Sequence, residues 1–375
     1  MENKKKRVGI VTIHMMNNFG AVLQAYALNS YLNSAGYDAE TIDFRTPRVE
    51  RGYRYFKSPM RHPMDLVRNF QSLMFLKTLK VRKKRMLGFV KDNIKLSKDV
   101  YYSNAELANA DLDYDYYICG SDQIWNTFCD NYDDAFLLAF AKDKGVRLSY
   151  AASMGMSSVH PDLVSKFRKE LSDFTALSVR EQSAVDVISS ISGKETVQVV
   201  DPVFLLTCEQ WQKVMKADKK LTRPYILFYS VHGGSTGMRD YVRAVSKRYQ
   251  LPVVVVYKNL RELLYSNIKR YDAGPAEFVS LINGAQYVFT NSFHGCALSI
   301  IFKKNFQVYV DGTPEQGTSS RIYSLMDTLG LADRIVFREG NPESMGKEID
   351  WADVESKLSP MINYSKAFLD GAMRS

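Results

Sequence analysis

Between residues 274 and 300 the chain reads helix, buried strand, loop and second helix, and this order constrains the fold more than any other stretch. Gly274-Pro275 opens a helical pattern, Gln286-Tyr287-Val288-Phe289 is an apolar run of strand length, and Ser292-Phe293-His294-Gly295 turns into the next helix. His294 therefore stands at the carboxyl end of a strand. In open α/β sheets that edge is where ligands bind, because the loops diverge there and the next helix presents unpaired N–H groups and the positive end of its dipole.

The same alternation runs through the rest of the chain. Strand patterns at 8–13, 39–44, 116–119, 147–151, 176–179 and 197–200 are separated by helical stripes at 19–32, 162–171 and 181–188, which predicts a mostly parallel, doubly wound sheet. Residues 218–224 are polar and end in Pro224, a linker before a second series. That series has strands at 225–229, 253–257, 286–289 and 306–310 and helices from 275, from 295 and over 319–329. The fold class is α/β, with two facing Rossmann-like domains. The first spans 1–220, with a basic helical insertion near 45–100, and the second 221–375, with a last helix over about 351–373 that can cross back onto the first.

A chain of 375 residues is long enough for two cores, and its 46% hydrophobic and 24% charged composition is that of an ordinary globular protein. No apolar run approaches the roughly 18 residues of a spanning helix, and the basic start leads straight into a strand, so a cytoplasmic protein is expected. Cys119, Cys129, Cys208 and Cys296 are scattered without metal-ligand spacing, so no metal is expected. The formal charge of +9 is concentrated: residues 45–98 hold 16 Lys and Arg against Glu50, Asp65 and Asp92. Phe56, Phe70, Phe75 and Phe89 are interleaved there. Such a segment fits an anionic membrane surface, or a solvated helical insertion packed on its own domain. No nucleic-acid module accompanies the charge, so nucleic acid is not expected as a partner.

Several loops at strand ends collect polar chemistry. Asn18 and Gly20, between the first strand and first helix, suit a helix cap or a sugar hydroxyl. Gly120-Ser121-Asp122-Gln123-Ile124-Trp125-Asn126 offers a carboxylate, amides, a hydroxyl and an indole. This is the equipment of a sugar site, with Ser121, Asp122, Gln123 and Trp125 facing an acceptor and Asp122 as its general base; the alternative is a helix cap with a core tryptophan. Arg180 ends a strand and can hold a carboxylate or phosphate through two parallel hydrogen bonds, or pair with Glu181 or Asp201. Asp201-Pro202 reads as a structural strand end, and His14 as a strand-end histidine. His232-Gly233-Gly234-Ser235 reads as a turn facing the cleft.

Four ordered blocks carry a resemblance: Gly120–Asn126 as quoted above, Ser149-Tyr150-Ala151-Ala152-Ser153-Met154-Gly155, Ser178-Val179-Arg180-Glu181 and Val200-Asp201-Pro202-Val203. Together with the 274–300 segment they resemble the polysaccharide pyruvyl transferase family over about residues 8–330. The resemblance implies a two-domain architecture like that of GT-B glycosyltransferases. It implies transfer of a pyruvyl group from phosphoenolpyruvate to a sugar hydroxyl pair, with no cofactor beyond that donor substrate. It assigns Arg180 to the donor, together with Ser292, Phe293 and His294, and makes His294 the proton donor. The chain departs from the commoner family pattern by carrying Ser292 where an Arg is usual, and Arg321 can supply the missing charge from the next helix. A glycan or lipid-linked sugar is the expected acceptor. Two rival readings are a nucleotide-sugar-dependent glycosyltransferase and a non-catalytic glycan-binding relative.

Overall fold

The computed structural model describes residues 5–60, 62–129, 132–218, 221–231, 235–256, 268–310, 320–337 and 341–374. In the first half lie β1 (Arg7–Val11), α1 (Phe19–Ser34), β2 (Asp38–Phe44), α2 (Pro47–Gly52), α3 (Pro63–Met74), α4 (Leu76–Asn93) and β3 (Leu96–Tyr101). They are followed by α5 (Asn104–Asn109), β4 (Tyr116–Cys119), β5 (Val146–Ser149), α6 (Val164–Leu171), β6 (Leu177–Val179), α7 (Gln182–Ser192), β7 (Thr196–Gln198) and α8 (Cys208–Gln212). The second half holds β8 (Ile226–Tyr229), α9 (Thr236–Tyr249), β9 (Val253–Val255), β10 (Ile268–Lys269), α10 (Pro275–Gly284) and β11 (Tyr287–Thr290). Then come α11 (Phe293–Ile301), β12 (Asn305–Tyr309), α12 (Ser320–Thr328), β13 (Ile335–Val336) and α13 (Trp351–Ala372).

Both halves build the same sheet. The first runs β3-β2-β1-β4-β5, all parallel, and is prolonged by the β6-β7 pair through bridges from Leu148 to Ala176 and from Ala152 to Val179. The second runs β10-β9-β8-β11-β12-β13, again all parallel. In each, the strand order reverses beside the first strand, so a crevice opens at the carboxyl ends of β1 and β4 and of β8 and β11. Strands β4, β8 and β11 are buried along their whole length, as expected of parallel strands covered on both faces.

The domains meet along α1. Asn18 caps this helix by accepting from Gly20 N at 2.9 Å, and the helix is apolar around most of its circumference, with Phe19 to Asn29 all buried. A helix buried on every side belongs between layers rather than on a surface. Phe19 stacks on Phe278 of α10 at 4.5 Å, and Tyr229 closes on both rings. The basic insertion crosses the same boundary: Arg85 of α4 pairs with Asp272 at 2.6 Å and Glu277 at 3.3 Å. At the far end α13 returns to the first half, where Ser365 Oγ accepts from Val200 N at 3.0 Å and Tyr116 Oη donates to the Met373 carbonyl.

Four elements escape the sequence pattern. Strand β3, Leu-Ser-Lys-Asp-Val-Tyr, lies at a sheet edge with no residue fully buried, so its apolar signal is diluted by charge. Helix α9 carries Arg and Lys on its outer face, and β10 and β13 are only two residues long. The turn at 232–234, the residues after 256 in the 253–257 strand and Ser319 lie outside the described residues.

Candidate functional site

The site grows from the carboxyl ends of β4, β6 and β11 and from the turn after β7. Asp201, buried to 1% exposure, follows β7 and opens a short helical turn by accepting from Val203 N through Oδ1. Its Oδ2 accepts from Arg180 Nη1 at 2.6 Å and from Ser121 Oγ at 3.1 Å. His294 Nε2 approaches the same oxygen at 3.6 Å, an ion-pair distance too long for a hydrogen bond. One carboxylate thus gathers Ser121 from the β4 loop, Arg180 from the β6 loop and His294 from the opposite domain.

Burial alone would raise the Asp201 carboxyl, but His294 and then Arg180 outweigh it and hold the group well below the usual carboxylate range. Arg180 is opposed by burial as well, and Asp201, Glu181 and Asp122 more than offset this to raise its pKa. Its guanidinium lies 4.7 Å over the Phe293 ring, and Glu181 Oε1 stands 3.5 Å from Nε. Arg321, at the start of α12, is pushed down to about 10 by burial and then by the neighbouring Arg180 charge. Two guanidiniums therefore stand close enough to repel, a tension that an anion would relieve.

Several polar atoms here have no hydrogen-bond partner. They are Arg180 Nε and Nη2, Glu181 Oε2 and His294 Nε2, all buried. Such groups cost free energy when left alone, and their clustering makes this the candidate binding site. The space beside them, lined by Arg180, Asp201, Phe293 and Arg321, is a cavity of about 30 Å³. That is room for water.

His294 is held by a contact across the domains. A Cβ on Gly20 would fall 2.1 Å from His294 Nδ1, so the imidazole lies directly on the first turn of α1 and requires glycine there. Gly295 plays a similar part within its own domain, since a Cβ there would meet Thr290 Oγ1 at 2.6 Å; its absence lets α11 start tight against β11. Ser292 caps α11, its hydroxyl accepting from Gly295 N at 3.3 Å.

The residues singled out from sequence sort into three groups. Asp122, Arg180, Phe293, His294 and Arg321 come together, with Ser121 bound into the same cluster. Asp122 takes φ +75, with its carbonyl accepting from Ile124 N and Ser153 N. That left-handed backbone is uncommon outside glycine. Asn18, Gly20 and Gln123 border it: Asn18 spends its side chain on the α1 cap, and Gln123 Oε1 accepts from Asn126 Nδ2. Trp125 is the correction. Its indole is fully buried, donates to the Phe136 carbonyl at 3.2 Å and packs edge-on against Phe167, so it fills the first core and offers no face to a sugar. His14 is likewise structural, set between the Thr12 carbonyl and Asp43, whose carboxyl is in turn gripped by Arg45.

Sequence reasoning gave Asp201 a structural role and used Glu181 only as a neutralising partner. Their signal was position: Glu181 directly follows the donor-type Arg180, and Asp201-Pro202 ends a strand at the ligand edge of the sheet.

This arrangement, two parallel-sheet domains closing on a charged cleft, defines a GT-B-like enzyme architecture. The family model described as Polysaccharide pyruvyl transferase matches residues 18–309. The chain belongs to the polysaccharide pyruvyl transferase family, a family of transferases. Among solved structures, UDP-GlcNAc 2-epimerase from Methanocaldococcus jannaschii is similar at a TM-score of 0.51 and 12% identity, covering 97% of this chain and 99% of its own. Medicago truncatula UGT71G1 complexed with UDP-glucose aligns at a TM-score of 0.45 and 10% identity, over 99% of each chain. No curated protein is similar enough to match.

The buried carboxylate gives a pH test. A carboxyl held below its unfolded value adds stability above the unfolded pKa of about 4, and that stability is lost as pH falls through the lower folded value. Asp201→Asn removes the contribution and leaves buried Arg180 with only the longer Glu181 pair and the more distant Asp122, a loss at the low end of about 3 to 5 kcal/mol. Urea unfolding at pH 7 should register that loss, and the variant's stability should fall less steeply than the wild type's below about pH 4. Equal acid slopes in the two proteins would contradict the assignment.

Proposed function

We propose that this chain transfers a pyruvyl group from phosphoenolpyruvate to a hydroxyl pair on a sugar of a cell-surface polysaccharide or its lipid-linked precursor, as an exopolysaccharide transferase. The observation that carries this reading is the set of buried unpartnered atoms, Arg180 Nε and Nη2 with His294 Nε2, gathered around Asp201 next to a cavity lined by Arg180 and a second guanidinium, Arg321. Phosphoenolpyruvate brings a carboxylate and a phosphate, and Arg180 and Arg321 supply charge for both. Ser292 is committed to its helix cap, so Arg321 takes the place of the cation usual at that position in the family.

The chemistry follows from the groups present. His294 delivers a proton to the methylene carbon, and the first sugar hydroxyl adds at C2 as the enol double bond is consumed. Asp122 accepts the proton of that hydroxyl. The C2–O bond to phosphate then breaks, inorganic phosphate leaves between Arg180 and Arg321, and the second hydroxyl closes the ketal and releases its own proton. Asp201 orients His294 and neutralises Arg180 in the absence of the donor. No cofactor enters this scheme. The cavity of about 30 Å³ is far smaller than the donor, so on this reading the domains part to admit it.

Work at a membrane surface is the second part of the proposal. No helix among the described residues is long and apolar enough to cross a membrane. Helix α3, however, leaves Leu66, Phe70 and Leu73 exposed at 60% or more, at helical spacing along one face, with Met64 and Met74 beside them. The segment's 16 cations against three carboxylates favour anionic lipid over a second copy of the same basic segment. Not all of the segment's charge faces outward, since Arg82 and Arg85 of α4 bond to Asn17 and across the domains to Asp272.

Phosphoenolpyruvate at about 100 times its dissociation constant should stabilise the fold by roughly 2.7 kcal/mol. Arg180→Lys should weaken that shift, and His294→Gln should leave it largely intact while turnover falls roughly 100-fold or more. Stabilisation by nucleotide sugars instead, with no response to phosphoenolpyruvate, would favour the glycosyltransferase reading. For the membrane contact, Leu66→Ser with Phe70→Ser should abolish sedimentation with anionic vesicles and spare turnover on a soluble sugar. Wild-type protein that ignores such vesicles at low salt would end that part of the proposal.

A further inference from the structure

Asp201 and Asp122 each have a task in the transfer, and Glu181, the third carboxylate of the cluster, has none. It lies two residues past β6, is 3% exposed and precedes α7, where a carboxylate ordinarily accepts from the first N–H groups of its helix. Its side chain makes no such bond. Instead Oε1 accepts from Ser153 Oγ and stands 3.5 Å from Arg180 Nε, while Oε2 is buried without a hydrogen-bond partner. Ser153 N in turn donates to the Asp122 carbonyl at 3.0 Å, so one residue ties both carboxylates to the same sheet edge.

The charged groups gathered with Glu181 come from several elements. Arg180 precedes it, Asp122 belongs to the β4 loop, Asp201 to the turn after β7, His294 to α11 and Arg321 to α12. Burial and then Arg180 lower the Arg321 pKa, and Glu181 is the carboxylate that opposes this most. Burial also disfavours the Arg180 charge, which Asp201 and then Glu181 offset. Three carboxylates thus stand against two guanidiniums and one imidazole. A donor that brings a further carboxylate and a phosphate into so buried a place needs a proton as well as cations. Asp201 has no oxygen to spare, since Oδ1 accepts from Val203 N and Oδ2 from Arg180 and Ser121. Asp122 is half-buried and keeps part of its hydration. A proton on Glu181 Oε2 breaks no existing bond and turns a bare acceptor into a hydrogen-bond donor.

We infer that Glu181 is a further catalytic residue of the transfer, taking a proton on Oε2 as the donor binds and giving it to the oxygen that bridges C2 and phosphorus as the phosphate departs. The inference rests on the phosphoenolpyruvate reading and goes beyond it by naming the acid and the base of the second half of the reaction. Once His294 has protonated the methylene carbon and the first hydroxyl has added, the C2–O bond breaks with its electron pair on the phosphate. Without a proton that group leaves as the trianion, a poor leaving group; with the Glu181 proton it leaves as hydrogen phosphate. The second hydroxyl then bonds to C2, and its proton passes to the Glu181 carboxylate. Of the two hydroxyl protons, one therefore restores the proton that Glu181 gave to phosphate, and the other, taken by Asp122, balances the one His294 gave to the new methyl group. Ser153 keeps Oε1 occupied, which confines the proton to Oε2.

The test is calorimetric titration of the full chain with phosphoenolpyruvate at one pH in two buffers of different ionisation heat, for the wild type and for Glu181→Gln. The amide matches the carboxylate in shape, can still accept from Ser153 and can donate to the donor through its NH2, so folding and donor binding are retained. His294 and the donor phosphate can take up protons as well, and the difference between the two proteins isolates the share of Glu181. The wild type should take up about one more proton per donor bound than the variant, and its affinity should fall with rising pH more steeply, by up to about tenfold per pH unit. Phosphate release with a soluble sugar acceptor should fall roughly 100-fold or more in the variant while donor affinity is kept. Equal proton uptake in the two proteins, or undiminished phosphate release, would overturn the inference. So would a variant that loses donor affinity along with turnover, which would make Glu181 a support for Arg180 and not an acid. Phosphoenolpyruvate that binds neither protein would remove the donor assignment itself, a result distinct from binding without the difference in uptake.

Discussion

The carboxylate of Asp201 holds the site together. It is buried, it accepts from Arg180 and Ser121, and it faces His294 from the other domain. A buried carboxylate survives only when cations and donors compensate its lost hydration. Those cations are the groups a donor anion would need. Asp201 thus gathers Arg180 and His294 at one point, while Arg180 Nε and Nη2 and His294 Nε2 keep no hydrogen-bond partner. The ion pair also draws the β6, β7 and β4 loops to one point at the edge of the first sheet.

The second constraint is steric. His294 can reach Asp201 only because Gly20 presents bare backbone to the imidazole, and the stack of Phe19 on Phe278 beside it sets how closely the domains approach. The position of His294 and the packing of the two domains thus share a single seam at the start of α1. The insertion extends that seam, with Arg85 tying α4 to Asp272 and Arg82 reaching Asn17.

Much of this was legible in the residues. The parallel two-domain fold followed from apolar runs of strand length alternating with helical stripes, because strands buried on both faces leave an unbroken signal. The meeting of Arg180, His294, Asp122 and Arg321 near the carboxyl ends of the strands followed too. What stayed hidden depended on contacts distant in sequence. Asp201 looked like a strand end because nothing local shows that Arg180, 21 residues earlier, and His294 both point at it. Trp125 looked like a sugar platform because an indole in a polar loop gives no sign of whether it turns inward. The basic segment was visible as charge. Its division into a cleft-lining helix, α4, and a helix with an exposed apolar face, α3, was not, since both carry cations and aromatics at similar spacing.

The central claim is that the Asp201-centred cluster receives the donor, and a crystal structure with phosphoenolpyruvate bound tests it most directly. The account predicts domains parted at the α1 seam, donor oxygens on Arg180 Nη2 and Arg321, and the methylene carbon within reach of His294 Nε2. Phosphoenolpyruvate bound away from these residues, with the Arg180 and His294 atoms still unpartnered, would contradict it.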